Sequence, residues 1–318
     1  TYETIGVAAP LLLMIIRMWQ GFCVGGECAG NVVYLAEISP FKHRAMTTSL
    51  AGMGANMGFL LALLIGVLCN EFFSEAAFKN GGWRLPYLVS GLLCLVIYIA
   101  RLNMQETISH KSNNINPIKL TFKNNIPDML RIIGLLCMGI TFFYTCFVYM
   151  PSFLTQNFHY STAQADHLMI LITVMMLFLS PIAGMLCDRV GRRKLLLWVV
   201  LLMIVTVIPG FYFIAAYTTT TFIIAAAMIF TLISSLEQGV SFVAVAENYP
   251  LSARYTGLSL AYNTSTAFFG GITPLFCEWL IGKMHSLLAP AFYIIFCALI
   301  TGGVAFFLMQ EKCGESLV

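Results

Sequence analysis

The chain has 318 residues, of which 59% are hydrophobic and only 10% charged, with a mean hydropathy of +0.85. A soluble domain carries about 25% charged residues, so the composition excludes one and requires a polytopic membrane protein. The net charge of +3 is no sign of nucleic-acid binding, because in such a chain the placement of charge matters more than its sum.

The ten cysteines are scattered through apolar stretches without a C-x-x-C spacing and read as small core residues. No paired metal carboxylates, H-E-x-x-H, G-x-S-x-G or P-loop pattern occurs, so neither an enzyme, a metal site, a cofactor nor ATP as energy source is expected.

Nine segments are long and apolar enough to span a bilayer. They lie near 6–37, 47–70, 84–103, 131–155, 167–187, 195–215, 222–246, 255–282 and 289–309. Thirteen of the 17 Lys and Arg fall in one set of alternating connections, and only Lys79, Arg84 and Lys283 in the other. Positive charge marks the cytoplasmic side, which puts Thr1 outside and Val318 inside. The polar stretch 104–130 reads as a cytoplasmic linker between 1–103 and a C-terminal half, 131–318.

The pattern A-E-x-x-P-x-x-x-R occurs twice, from Ala36 to Arg44 and from Ala246 to Arg254. The register extends outward: Glu27 matches Glu237, and Ser49 matches Ser259. This indicates a duplication of about 200 residues, and duplicated halves in a membrane chain point to a transporter. Six spans follow the linker and three precede it. If the halves match, three further spans belong upstream of Thr1, and a chain lacking them would be a truncated, non-transporting remnant.

The most specific local signal is Gly184-x-x-x-Asp188-Arg189-x-Gly191-Arg192-Arg193-Lys194. Gly191 permits a tight turn between two spans. Asp188 can face the positive N-terminus of a neighbouring helix, and the arginines can pair with carboxylates at helix ends. Glu37 and Glu247, with Arg44 and Arg254, read as gating ion pairs or a structural latch.

Inside the spans, Arg17 is the one deep cation. Gln20 and Glu27 lie near the same helix face, since seven residues make about two turns. Desolvation favours the protonated form of an intramembrane carboxylate, and an arginine neighbour the ionised form. Glu27 is therefore a candidate proton carrier, pairing with Arg17 or with a group elsewhere, and otherwise a helix-packing hydrogen-bond partner. The same alternatives hold for Glu237. Asn56 and Asn263 are candidates for substrate contact or for hydrogen bonds between helices. Phe143, Tyr144 and Tyr149 could form part of an aromatic cage for a quaternary ammonium, or simply pack. His159, His167 and Asp166 read as a solvated outer loop, and Trp83 with Arg84 as an interface anchor.

At these residues the chain resembles the major facilitator superfamily, which carries the Gly184–Lys194 loop pattern. Arg17 to Glu27 (R-x-x-Q-G-F-x-x-G-G-E), Gly82 to Tyr87 (G-W-R-x-P-Y), Gln105-Glu106-Thr107 and the segment Ala246–Gly257 resemble its metabolite:proton symporter branch. Gly271 to Tyr293 is most similar to proline/betaine members. The resemblance implies an all-α membrane fold, a major-facilitator helix bundle, in a bacterial inner membrane. It implies a monomer that exchanges a small polar metabolite and protons across the lipid bilayer. A proline- or betaine-like osmolyte is the expected solute; a di- or tricarboxylate such as 2-oxoglutarate would call for more intramembrane cations than Arg17.

Overall fold

The computed structural model describes residues 2–102, 121–122, 125–217, 219–250 and 253–311, and every regular element among them is helical. The helices are α1 (Ala8–Val24), α2 (Glu27–Ile38), α3 (Arg44–Phe72), α4 (Leu85–Leu102), α5 (Ile126–Phe143), α6 (Met150–Phe158), α7 (Thr162–Val190), α8 (Arg192–Ala216), α9 (Thr220–Glu247), α10 (Arg254–Ser265), α11 (Thr273–Met284) and α12 (Ala289–Phe307).

Among the described residues, eight stretches of helix are long and apolar enough to cross a membrane. They coincide with eight of the nine segments read from the sequence. The ninth, 255–282, is not one apolar helix: α10 and α11 are joined by a wide π-helical turn over Thr266–Gly271, and α10 (RYTGLSLAYNTS) mixes polar and apolar residues on all sides. A matching π-helical turn, Tyr144–Tyr149, joins α5 to α6. The segment 6–37 is also broken, between α1 and α2 at Gly25-Gly26.

Local chemistry sets the ends. α5 starts at Ile126, five residues before the expected end of the linker, because Pro127 fits a first helical turn and Asp128 suits its positive end. The linker residues 103–120, 123 and 124 lie outside the described residues, and with them Gln105-Glu106-Thr107. Ser161 caps α7 reciprocally with Gln164. His159 closes α6 in the left-handed region at φ 56°.

α7 lies along α3 for much of its length, and α9 packs on α3, α7 and α8. α12 fills the space between α5 and α8, while α10 joins α2 to α5. The core is centred on the helices after the linker. Phe142 meets Phe230 edge-on at 5.6 Å, and Phe153 meets Phe211 at 5.8 Å. Without a hydrophobic drive between helices in lipid, such contacts and close backbone approach hold the bundle. α1 and α4 bury no residue against the rest of the described chain, and their apolar side chains face outward.

Among the described glycines, backbone approaches backbone most closely at Gly184. A Cβ there would stand 2.7 Å from the Ala45 carbonyl oxygen and 2.8 Å from Met46 Cα. We expect Gly184→Val to cost about 1–3 kcal/mol through overpacking, read as a lowered melting temperature in detergent. Val at Gly54, which has open space around it, should leave the melt unchanged.

Candidate functional site

The duplicated motif builds the first part of the site. Each copy ends one helix with a glutamate and starts the next with an arginine: α2 with Glu37 and α3 with Arg44, then α9 with Glu247 and α10 with Arg254. A carboxylate near a helix C-terminus and a cation at an N-terminus both oppose the local dipole, so each residue needs an outside partner. The partner comes from the other copy. Arg44 Nη1 donates to Glu247 Oε1 at 2.9 Å, and Arg254 Nη1 to Glu37 Oε1 at 3.4 Å. All four side chains are at least nine-tenths buried.

The loop after α7 completes the network. Gly184 lets α7 touch the start of α3, which brings Asp188 under that helix. Its carboxylate accepts the backbone N–H of Ala45 and of Met46, each at 3.0 Å. These are orphan donors of a helix N-terminus. Arg192 bridges Asp188 and Glu247, both at 3.1 Å. Three arginines thus meet three acids in a buried, charge-balanced cluster. Gly191, at φ 98°, makes the turn into α8. The carboxylate of Glu311 caps α8, accepting from the backbone of Arg192 at 3.0 Å and of Arg193 at 2.8 Å. Arg193 also donates to the Phe306 carbonyl and lies over its ring, while Arg189 is exposed.

A second group lies halfway along the spans. Asn56 Nδ2 and Ser180 Oγ donate to Gln238 Oε1 at 3.0 and 3.1 Å, which joins α3, α7 and α9. Beside it, Glu237 is buried against Gly139, and its carboxylate accepts from Ser241. No cation pairs with it among the described residues. Across the interface, Phe59 of α3 meets Phe143 of α5 at 6.3 Å, with Tyr144 next to Phe143 at 6.1 Å. All three are partly exposed. Tyr149 is separate from this group, packed on Phe153. Asn263 Nδ2 donates to the Gly25 carbonyl and, at 2.7 Å, to Ser259; Tyr255 donates to the Gly26 carbonyl at 3.4 Å. The α1–α2 break is thereby held by α10.

Of the partners open to Glu27, Arg17 or a group elsewhere, the structure has the second. Arg17 donates to Gln20 at 2.9 Å and to Tyr87 at 3.3 Å. Glu27 instead takes a bidentate pair with Arg101, at 2.5 and 2.7 Å, with both side chains nearly half exposed. Ten residues of helix set Arg17 and Glu27 about 15 Å apart along the axis, while α4 brings Arg101 within reach of Glu27. Sequence reasoning missed Arg101 as the partner, Ser180 and Glu311. In the sequence Arg101 is one more positive charge at the end of a span, and a cap made from 119 residues away leaves no local pattern. His159 and His167 lie at the end opposite the ion pairs, where His167 lines a cavity of about 260 Å³ with Tyr160 and Gln164.

The duplicated motif and its exchanged ion pairs lie in a bundle of apolar helices long enough to span a membrane. The family model described as Major Facilitator Superfamily matches residues 4–271 and 132–313. The chain belongs to that superfamily. It is 32% identical to the proline/betaine transporter of Escherichia coli (strain K12) over 333 aligned positions, covering 100% of this chain and 66% of that protein. The glycine betaine/proline/ectoine/pipecolic acid transporter of Dickeya dadantii is 30% identical, with 100% and 66% covered. The citrate-proton symporter of Klebsiella pneumoniae is 29% identical, with 94% and 68% covered. The chain thus spans just under two thirds of the length of the first two. Among solved structures, the proton:xylose symporter XylE superposes with a TM-score of 0.68 at 16% identity, covering 90% of this chain and 68% of that one. FucP, in its outward conformation, gives 0.64 at 14% identity, with 89% and 72% covered.

Removing one partner of a buried pair costs about 3–5 kcal/mol. Glu247→Gln, which leaves Arg44 and Arg192 facing an amide, should destabilise the bundle on that scale in chemical unfolding. In a double-mutant cycle with Arg44→Met the two losses should fall well short of additive; additive losses would show that the pair is not coupled.

Proposed function

We propose that this chain belongs to a secondary transporter in which a zwitterionic osmolyte of the proline/betaine class moves together with protons. The observation that carries the reading is the exchange of partners between the two motif copies. Residues 1–103 and 131–318 act as the two halves, and the buried cluster of Arg44, Arg192 and Arg254 with Glu37, Asp188 and Glu247 latches them at one end. Positive charge marks that end as cytoplasmic, with Val318 inside and Thr1 outside in a bacterial inner membrane. Rocking of the halves about a midplane site opens one end as the other closes, so the cluster must break and reform once per cycle. The latched arrangement is the outward-facing state of a monomer.

Phe59, Phe143 and Tyr144 meet between the halves at the depth where a solute would sit. Ring faces attract a quaternary ammonium, which suits betaine, and Asn56 with Gln238 supplies polar contacts nearby. Glu237 takes the place of Glu27 as the coupling carboxylate, because it is buried without a cation while Glu27 is held by Arg101 at the surface. Burying an ionised carboxylate alone is far costlier than burying the neutral acid, so solute binding and helix movement can be tied to its proton.

The test is uptake of labelled betaine, proline and citrate into proteoliposomes with and without an inward proton gradient. Gradient-driven uptake of betaine or proline is expected, and Glu237→Gln should abolish it while leaving solute counterflow. Driven uptake at the parent rate in Glu237→Gln would remove Glu237 from the coupling, and uptake of citrate alone would replace the substrate. Phe143→Leu should weaken betaine binding about tenfold, within the range of a desolvated cation–π contact, and citrate binding not at all.

A further inference from the structure

The side-chain amide of Gln238 is held in one orientation from two neighbouring helices. Its Oε1 accepts from Asn56 Nδ2 of α3 at 3.0 Å and from Ser180 Oγ of α7 at 3.1 Å. Both donors are buried, Asn56 at 3% exposure and Ser180 at 0%. Gly52 of α3 makes the seat: a Cβ there would stand 2.6 Å from Gln238 Oε1 and 2.7 Å from its Cδ. An amide carries its carbonyl acceptor and its NH2 donors on opposite arms of one carbon. With Oε1 turned to α3 and α7, Nε2 is directed away from both.

Nε2 makes no hydrogen bond among the described residues, and packing does not seal it off. Donors left unmet halfway along a span are costly, so this NH2 calls for an acceptor. An ionised carboxylate gives the stronger kind of hydrogen bond. No Lys or Arg hydrogen-bonds to Asn56, Ser180 or Gln238 among the described residues. Arg17 is bound instead to Gln20 and Tyr87, on α1 and α4. The aromatic group lies in register with the amide. Phe59 is three residues beyond Asn56, so it shares a flank of α3 and stands about 4.5 Å nearer the end opposite the latch. That offset is comparable to the length of a betaine molecule.

We propose that Gln238 is the carboxylate anchor of the solute site and sets the direction of the bound solute. The carboxylate lies on Nε2, toward the latch, and the ammonium lies against Phe59, Phe143 and Tyr144, toward the opposite end. Asn56 and Ser180 are positioning residues, which act by holding Oε1. The anchor rests on the zwitterion reading above and names the group that recognises the anionic half. A neutral anchor suits a zwitterion, whose own ammonium balances its carboxylate. The further charges of a di- or tricarboxylate would find no cation in this group.

The experiment is equilibrium binding to the full chain in lipid nanodiscs, with labelled betaine and with labelled choline. Choline keeps the quaternary ammonium and lacks the carboxylate. Gln238→Met, similar in shape but without donors, should weaken betaine binding about 10- to 100-fold, the range for a hydrogen bond to a charged group, and leave choline binding unchanged. Asn56→Ala should weaken betaine by less and also spare choline, because the amide is present but free to turn. Equal losses for betaine and choline in Gln238→Met, or no loss for either, would overturn the anchor and leave the zwitterion reading standing. Should Gln238→Met fail to fold, Asn56→Ala decides alone: an unchanged betaine-to-choline ratio overturns the anchor. A folded parent that binds neither betaine nor choline would sink the zwitterion reading itself, and the anchor with it.

Discussion

The structure depends on a buried set of charges that neither motif copy can satisfy alone. Glu37 and Glu247 end helices, and Arg44 and Arg254 begin them, so each opposes the dipole of its own helix. Within the bilayer thickness an unpaired charge is prohibitively costly. Pairing each residue with the other copy's opposite charge removes both penalties together, and it ties the halves at one end. The approach of α7 to α3 at Gly184, the docking of Asp188 on the start of α3, and the bridge made by Arg192 all serve the same cluster.

Such a cluster suits a joint that must open. Buried ion pairs add little net stability compared with apolar packing, because desolvation offsets their attraction. They are, however, specific: the partners fit in one arrangement. The packing inside the C-terminal half is of another kind, with aromatic edges and small residues that leave no comparable seam. Wide π-helical turns in both the α5–α6 and α10–α11 spans give that half its own bending points.

Much of the fold was legible because a bilayer imposes strong rules. Apolar length located eight spans among the described residues. The repeat at Glu37 and Glu247 identified the latch residues, but not their exchange of partners, since a sequence motif says which charges exist and not which meet in space. Asp188 could be placed at a helix N-terminus because the dipole argument is local. The partner of Glu27 stayed open because Arg101 is 74 residues away in sequence, and a span's own periodicity does not say which neighbouring helix will approach it. The 255–282 span was misjudged because composition does not record a π-helical turn.

The most direct measurement is the distance across the latch. Spin labels at the exposed positions of Lys42 and Arg189, in a background without accessible native cysteines, report on α3 against α7 by pulsed electron resonance. The parent should give a narrow distribution at short distance. Replacing Glu37 and Glu247 together by Gln should shift weight to longer distances, as the halves part at that end. An unchanged distribution in the folded double variant would contradict the claim that the exchanged ion pairs hold the two halves closed.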